Sequence, residues 1–227
     1  MIRRLRGLGI VLGLIGFAFI AIGTFTFMKT QEGYKSLNAF SAAQDVQLTY
    51  NDKGQLTDSG KVDEAQGIMK LLTDDWGYPV VAAELNPHDP VVNTASEYMY
   101  QMATVAYHTL TGVQTVVLTA DVTYKGQTFK AGSYQVPVDG RYFSQFDRSH
   151  PLDGPARAQA WSPLAHALIG ELGVGTVTAS ALQLGLGLAA LFAGVGATFL
   201  LTGFGLVWAI RPETARVPVL RPAVAIA

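Results

Sequence analysis

Two long apolar runs flank a central segment in which polar and apolar residues alternate with short periods. No charged residue occurs from Gly7 to Met28 or from Leu184 to Ile210. The first run has 22 residues and the second has 27. As helices they measure about 33 Å and about 40 Å, and the hydrocarbon core of a bilayer is about 30 Å thick. The pattern therefore predicts two transmembrane helices, over residues 7–28 and 184–210.

The first apolar run is open to a second interpretation, as a secretory signal peptide. Three arginines precede it, as in the charged region of a signal peptide. A signal core has about 7–15 apolar residues, however, and the sequence MKTQEGYKS that follows contains no A-x-A-like cleavage site. The length of the run favours an uncleaved membrane anchor.

Charge at the ends of the two runs predicts their orientation. Arg3, Arg4 and Arg6 precede the first run, and three further arginines follow the second. Between Lys29 and Glu171 there are ten Lys and Arg against sixteen Asp and Glu, a net charge of -6. Because basic flanks stay in the cytoplasm, we expect a two-pass protein of the cell membrane with both termini cytoplasmic and an extracytoplasmic centre. The acidic centre also makes nucleic acid an unsuitable partner, since phosphate binding needs clustered Lys and Arg.

The first half of the central segment predicts a hairpin and two helices. Apolar residues alternate over 46–50, and Asn51 to Gly54 have the composition of a turn. A helix is predicted over 62–73, with Ile68, Leu71 and Leu72 facing the core. A second helix is predicted after Asn93 or Thr94, with Glu97 in the capping-box position and Gly112 at its end.

The second half predicts strands and then a long helix. The stretches 113–124, 128–138 and 141–143 are separated by the turn sequences KGQ and DG, which predicts one antiparallel sheet of three to five strands. From Pro155 the apolar pattern continues to Ala209 without a stop, which predicts one long helix, with Pro163 as the position where it would kink. The fold class expected for the extracytoplasmic domain is α+β.

Together these patterns divide the chain into six segments. They are a basic N-terminus over 1–6, a first transmembrane helix over 7–28, an α+β domain over 29–154, a stalk helix over 155–183 that is continuous with the second transmembrane helix over 184–210, and a disordered tail over 211–227. The tail is rich in proline and has no helical period.

Residues with strong chemistry are few and dispersed. The chain has no cysteine and four histidines, none of them in a compact metal-binding motif. The sequence also lacks a G-x-S-x-G motif. We therefore predict no metal, no cofactor and no catalytic residue.

Two sets of side chains are candidates for a ligand pocket. Glu97, Gln101 and His108 lie at intervals of four and seven on one face of the second helix, which is either a pocket wall or a solvated face. An aromatic set would form either an apolar binding site or the core of a small domain. Its members are Trp76, Tyr78, Tyr98, Tyr100 and Tyr107.

Glycines in the apolar runs predict how the two helices pack. At about 100° per residue, the six glycines of the second run fall on two opposite faces. One face has Gly187, Gly194 and Gly205, and the other has Gly185, Gly196 and Gly203. The glycines of the first run, Gly9, Gly13, Gly16 and Gly23, cluster on one face. Small residues let helix backbones approach closely in lipid, so one face of the second helix is expected to receive the first helix. The other face then either packs against a further copy or subunit, or faces lipid.

Three blocks of the central segment, NTASEYMYQMATVAYHTL, FDRSHPLDGPARAQAW and ALIGELGVGTVT, carry a resemblance to a known family. Over most of residues 1–211 the chain resembles a family of small two-span actinobacterial membrane proteins of unknown function. Members are often labelled as aromatic ring-opening dioxygenases. Such an enzyme needs iron held by His and carboxylate ligands, and this sequence has no such grouping, so the resemblance implies no catalytic residue.

Two classes of function follow from the sequence. The first is a non-enzymatic structural or interaction protein that presents a rigid extracytoplasmic domain, as a homo-oligomer or as an accessory subunit of an envelope complex. The second is a module, or an enzyme, that binds a lipid or a small apolar ligand at the outer leaflet.

Overall fold

The structure, a computed structural model, describes residues 2–209. Ile210 and the predicted disordered tail over 211–227 lie outside the described residues. The elements in chain order are α1 (Ile2–Gln44), β1 (Thr49–Tyr50), β2 (Leu56–Thr57), α2 (Val62–Lys70), α3 (Ala95–Thr111), β3 (Val113–Leu118), β4 (Val122–Tyr124), β5 (Gln127–Phe129), β6 (Gly132–Pro137), α4 (Asp153–Ala160) and α5 (Pro163–Ala209). Helices and small antiparallel sheets together agree with the expected α+β class.

The two terminal helices, α1 and α5, are long and apolar enough to cross a membrane. They have 43 and 47 residues. The chain divides into two units. The helix-pair unit comprises Met1–Gln31 and Leu184–Ala227, of which 2–31 and 184–209 are described, and the central unit comprises Glu32–Gln183.

Within the helix-pair unit, glycines bring the two backbones into contact. A Cβ at Gly16 would lie 2.6 Å from the carbonyl oxygen of Gly196, and a Cβ at Gly196 would lie 2.7 Å from the carbonyl oxygen of Gly16. A Cβ at Gly9 would lie 2.8 Å from the carbonyl oxygen of Gly203. Real Cβ atoms essentially never approach that closely, so larger residues at these positions would force the helices apart. We call this line of contact between α1 and α5 the seam. Phe19 lies beside it, with its ring centroid 5.8 Å from that of Phe192.

The two glycine faces of α5 therefore have different environments. The face of Gly185, Gly196 and Gly203 packs against α1, and a Cβ at any of them would meet α1 atoms within 3 Å. The opposite face, Gly187, Gly194 and Gly205, is open: a Cβ there would meet no atom of the described chain within 4 Å. On α1, Gly9, Gly16 and Gly23 point into the seam, whereas a Cβ at Gly13 would enter open space.

The core of the central unit is built on α2 and α3. Ile68 and Leu72 are fully buried, and Leu71 is nearly so, which confirms the predicted inward face of this helix. The helix ends at Lys70 as an α-helix and continues as a π-helical turn over Leu71–Asp75. The predicted hairpin before α2 is also confirmed, with Thr49 paired to Thr57 and Tyr50 to Leu56.

The N-terminus of α3 has the predicted capping box. The Oγ1 of Thr94 accepts a hydrogen bond from the backbone N–H of Glu97, and a carboxylate oxygen of Glu97 accepts one from the backbone N–H of Thr94 at 2.9 Å. These bonds satisfy two N–H groups that have no partner within the helix. The box therefore fixes the start of α3 at Ala95.

The strands form three two-stranded antiparallel sheets among the described residues, so the prediction of one sheet of three to five strands is wrong. Six consecutive residues of β3 pair with β6, and the chain between these two strands forms the β4–β5 hairpin. Lys125 and Gly126 both have positive φ in its turn, the geometry of tight hairpins. The expected strand over 141–143 is absent, and a 3₁₀ turn follows at Phe143–Gln145.

The predicted continuous helix from Pro155 is interrupted before Pro163, so this part of the prediction is also wrong. Proline has no N–H, and its ring disfavours helical geometry in the residue before it. α4 ends at Ala160, and Pro163 becomes the first residue of α5, where the backbone N–H of Ala165 donates to the Oγ of Ser162 at 3.2 Å. Trp161 occupies the break, where it is buried and its ring stacks on that of Tyr142.

Candidate functional site

The central unit contains an apolar cavity of about 730 Å³. Its walls come from three helices: the last third of α1, the first two thirds of α3 and the beginning of α5. Val46 and Val92, joined by a hydrogen bond from the N–H of Val92 to the carbonyl oxygen of Val46, complete the lining. Small-molecule sites in proteins have volumes of about 300–1,000 Å³, so the cavity is of the size that holds such a ligand.

Apolar side chains dominate the lining, and several of them are exposed at the surface. Phe40 is 48% exposed and Val174 is 66% exposed. Leu168 and Val46 are also exposed, and all four contribute to the cavity. Contiguous patches of large exposed apolar residues are rare on soluble proteins, and such patches usually mark a binding or interaction site. The remaining apolar lining residues are Leu37, Val92, Val105 and Leu172.

A few polar groups line the same cavity. The hydroxyls of Ser41 and Tyr98 form a buried hydrogen bond of 2.8 Å. Gln44 and Gln101 contribute amide groups. Glu171, which is exposed, is the one charged side chain among the lining residues. An apolar volume with a few oriented polar groups at its walls is the usual composition of a ligand pocket.

A glycine on α5 sets the position of the Tyr98 ring. A Cβ at Gly175 would lie 2.5 Å from both Cδ1 and Cε1 of Tyr98, a distance that no alanine tolerates without movement of the ring. The ring therefore lies directly against the backbone of α5, and its hydroxyl reaches Ser41 on α1. Gly33 has the same role for Leu182, whose side chain occupies the space that a Cβ would need.

Of the predicted pocket residues, Tyr98 and Gln101 line this cavity. Glu97 is instead buried in the capping box, where burial raises the pKa of its carboxyl and hydrogen bonds from Asn93 and Thr94 oppose that rise. His108 pairs with Asp58, with 2.9 Å between Nε2 and Oδ2. The predicted polar stripe is therefore divided among a cap, a cavity wall and a contact between His108 and Asp58.

Most of the predicted aromatic set belongs to the core. Trp76 donates from its indole N–H to the hydroxyl of Tyr142 at 2.8 Å. Tyr78, Tyr100 and Tyr107 pack in or against the core clusters of the central unit. Burial raises the pKa of Tyr50 to about 12 and that of Tyr100 further, so both hydroxyls stay neutral near pH 7.

Nothing in residues 2–209 gathers three or more His, Asp or Glu side chains in an arrangement that could hold a metal ion. His166 and Glu171, which lie five positions apart on α5, have separate surroundings. The Nδ1 of His166 lies 3.1 Å from the carbonyl oxygen of Ser162 and its ring packs on Phe143, whereas Glu171 lies at the cavity.

Sequence reasoning missed the contributions of α1 and α5 to the cavity. On α1 the lining residues are Gly33, Ser36, Leu37, Phe40, Ser41 and Gln44. On α5 they are Leu168, Glu171, Leu172, Val174, Gly175 and Thr178. Both sets recur at intervals of three and four, the spacing of one helical face. Each set therefore follows one face of its helix, but the spacing does not indicate that the two faces meet.

Comparison of the chain with known protein families, with curated proteins and with solved structures gave no match. The fold and the cavity alone define the class to which this protein belongs. It is an α+β protein with two helices able to cross a membrane and an apolar cavity in its central unit.

Proposed function

We propose that the chain is a two-pass membrane protein whose central unit binds a single-chain apolar molecule, such as a lipid-derived chain, in its cavity. The observation that carries the proposal is the apolar cavity of about 730 Å³, with exposed apolar residues in its lining. Burial of apolar surface contributes about 25 cal/mol per Å². A ligand that covered Phe40 and Val174 would bury apolar surface of its own as well as that of the protein, and both would contribute to binding.

The course of the lining helices along the chain supports a ligand taken from the bilayer. Gly33 follows Met28, the last residue of the first uncharged run, by five positions on α1. On α5, Thr178 precedes Leu184 by six positions. Both helices thus pass from cavity lining to membrane-compatible sequence within about two turns.

The proposed location of the cavity is outside the cytoplasm. This rests on the basic flanks of the two runs and on the net charge of -6 between them. Since the chain has no cysteine, single-cysteine variants report the orientation without background. Ser133→Cys in β6, an exposed position, should react with a membrane-impermeant maleimide on intact cells, whereas Leu5→Cys should react only after lysis. Labelling of Leu5→Cys alone on intact cells would contradict the orientation.

Protection of a cavity thiol tests ligand binding. In lipid nanodiscs, Val105→Cys places the one thiol of the chain in the cavity wall. Dodecanol should slow its reaction with a small thiol reagent by several-fold, because the alkyl chain would cover it. Ser133→Cys, outside the cavity, is the matched control and should react at the same rate with and without dodecanol. Equal rates for Val105→Cys with and without the alcohol would overturn the proposed function.

The second candidate function is assembly, as a homo-oligomer or with another membrane subunit. The observation that favours it is the open glycine face of α5, at Gly187, Gly194 and Gly205, which has no neighbour in the described chain. Glycine faces in membrane helices allow close backbone contact with a second helix. An assembled state is compatible with ligand binding, since the cavity residues belong to the central unit.

A further inference from the structure

The charge of the cavity lining restricts which apolar molecule it can hold. The lining residues include one carboxylate, Glu171, and no Lys, Arg or His. Charged residues that neighbour the lining in sequence are Glu32, Lys35, Asp45 and Glu97, of which three are acidic. The polar groups of the cavity are otherwise neutral amides and hydroxyls. The cavity thus offers no cation to pair with a carboxylate, sulfonate or phosphate at the end of a chain.

We infer that the molecule bound in the cavity has a cationic or neutral polar end, and that Glu171 determines this preference. The inference rests on the proposed binding function and names the class of ligand. An alkyl chain would lie against Phe40, Leu168 and Val174, and its polar end would lie within reach of the carboxylate of Glu171. A cationic end pairs with that carboxylate, a hydroxyl end donates a hydrogen bond to it, and an anionic end is repelled by it.

The size of the preference follows from the exposure of Glu171. Exposed ion pairs contribute modestly, because water screens them and because long side chains lose freedom on pairing. The attraction between a cationic ligand and one exposed carboxylate therefore raises the affinity by about two- to five-fold. An alkyl cation should therefore bind a few-fold more tightly than the alcohol of equal chain length, and an alkyl anion should bind correspondingly more weakly.

Three probes with equal chains test this inference by the protection of Val105→Cys in nanodiscs. They are dodecyltrimethylammonium, dodecanol and dodecanesulfonate, whose charges do not change near neutral pH. We expect the cation to protect at about two- to five-fold lower concentration than the alcohol, and the sulfonate at higher concentration. In a background of Glu171→Gln the three should converge, and in Glu171→Lys their order should reverse. Each protecting concentration is expressed as the measured concentration of that probe in the membrane, because the three probes partition differently into lipid.

The matched control is Asp52→Asn, which removes an exposed carboxylate of the β1–β2 turn, outside the cavity, and should leave the order of the probes unchanged. If all three probes protect the wild-type background equally, the charge preference is wrong while ligand binding stands. A preference that survives in Glu171→Gln overturns the assignment to that residue. If no probe protects, the binding function fails, and the inference fails with it. Charge-dependent protection that disappears only in Glu171→Gln would support it.

Discussion

Replacing both Gly196 and Gly203 with leucine is expected to disrupt the helix pair and lower the melting temperature of the detergent-solubilised protein. A Cβ at Gly196 would lie 2.7 Å from the carbonyl oxygen of Gly16 and 2.9 Å from the backbone nitrogen of Ile20. A Cβ at Gly203 would lie 2.7 Å from the backbone nitrogen of Gly13. The obstacles are backbone atoms, which no rotamer change can remove. Overpacking of this kind costs about 1–3 kcal/mol at each site.

The chain supplies its own control for this double variant. Gly187 and Gly194 lie on the same helix, in the same kind of sequence, and a Cβ at either would meet nothing within 4 Å. Gly187→Leu with Gly194→Leu should therefore leave the melting temperature close to that of the wild type. Equal loss of stability in the two double variants would show that the seam of α1 and α5 is not where the structure has it.

The same control variant separates the two interpretations of the open face. If that face packs against another copy or subunit, Gly187→Leu with Gly194→Leu should reduce the molecular size seen by native mass spectrometry while the monomer stays folded. An unchanged size would mean that these glycines face lipid, and the assembly function would lose its support. Native mass spectrometry also detects lipid retained by the protein, and such a lipid would be a candidate ligand for the cavity.

The sequence predicted those features of the fold that depend on local pattern. The capping box at Thr94 and Glu97 needs only a spacing of three residues, and the hairpin at 49–57 needs only alternation and a turn. The inward face of α2 followed from the periodicity of its apolar residues. Each of these signals is contained in fewer than about fifteen residues, so tertiary context had little opportunity to override it.

The incorrect predictions depended on how local elements combine. Strand-forming residues over 113–138 fit one sheet or two separate pairs equally well, because pairing partners are chosen by tertiary contacts, such as α4 packing on β3. At Pro163 the apolar period of the helix and the steric effect of proline predict opposite results. The helix is interrupted there, and the interruption is stabilised by the buried Trp161, which packs on Tyr142 and donates to the carbonyl oxygen of Arg141 at 3.1 Å.

The cavity was missed because its walls come from segments far apart in the chain. Residues 33–44 and 168–178 are more than a hundred positions apart, and no local pattern indicates that they meet. The prediction favoured Glu97, His108 and Trp76 because polar and aromatic residues carry most recognisable chemistry. In this protein the distinguishing residues are small ones, above all Gly175, whose lack of a side chain admits the ring of Tyr98.

Gly175→Leu is expected to abolish the protection of a cavity thiol by dodecanol and to destabilise the central unit. The new Cβ would lie within 2.8 Å of three ring atoms of Tyr98, so the ring would have to leave its place against α5. Its movement would break the buried hydrogen bond between Tyr98 and Ser41 and push the ring or the leucine into the cavity. Overpacking costs about 1–3 kcal/mol, and each buried hydroxyl left without a partner adds about 1–3 kcal/mol.

Thermal unfolding and thiol protection, measured on the same nanodisc samples, separate the two effects of Gly175→Leu. Gly170→Leu is the matched control, since it adds the same side chain five residues earlier on α5, where a Cβ would meet no atom within 4 Å. It should keep both the wild-type melting temperature and the protection by dodecanol. Tyr98→Phe keeps the ring and removes the hydroxyl, so it should lose stability but retain protection. If Gly175→Leu bound dodecanol as the wild type does, the cavity would not be the binding site, because no arrangement of the introduced leucine and Tyr98 leaves its volume unchanged.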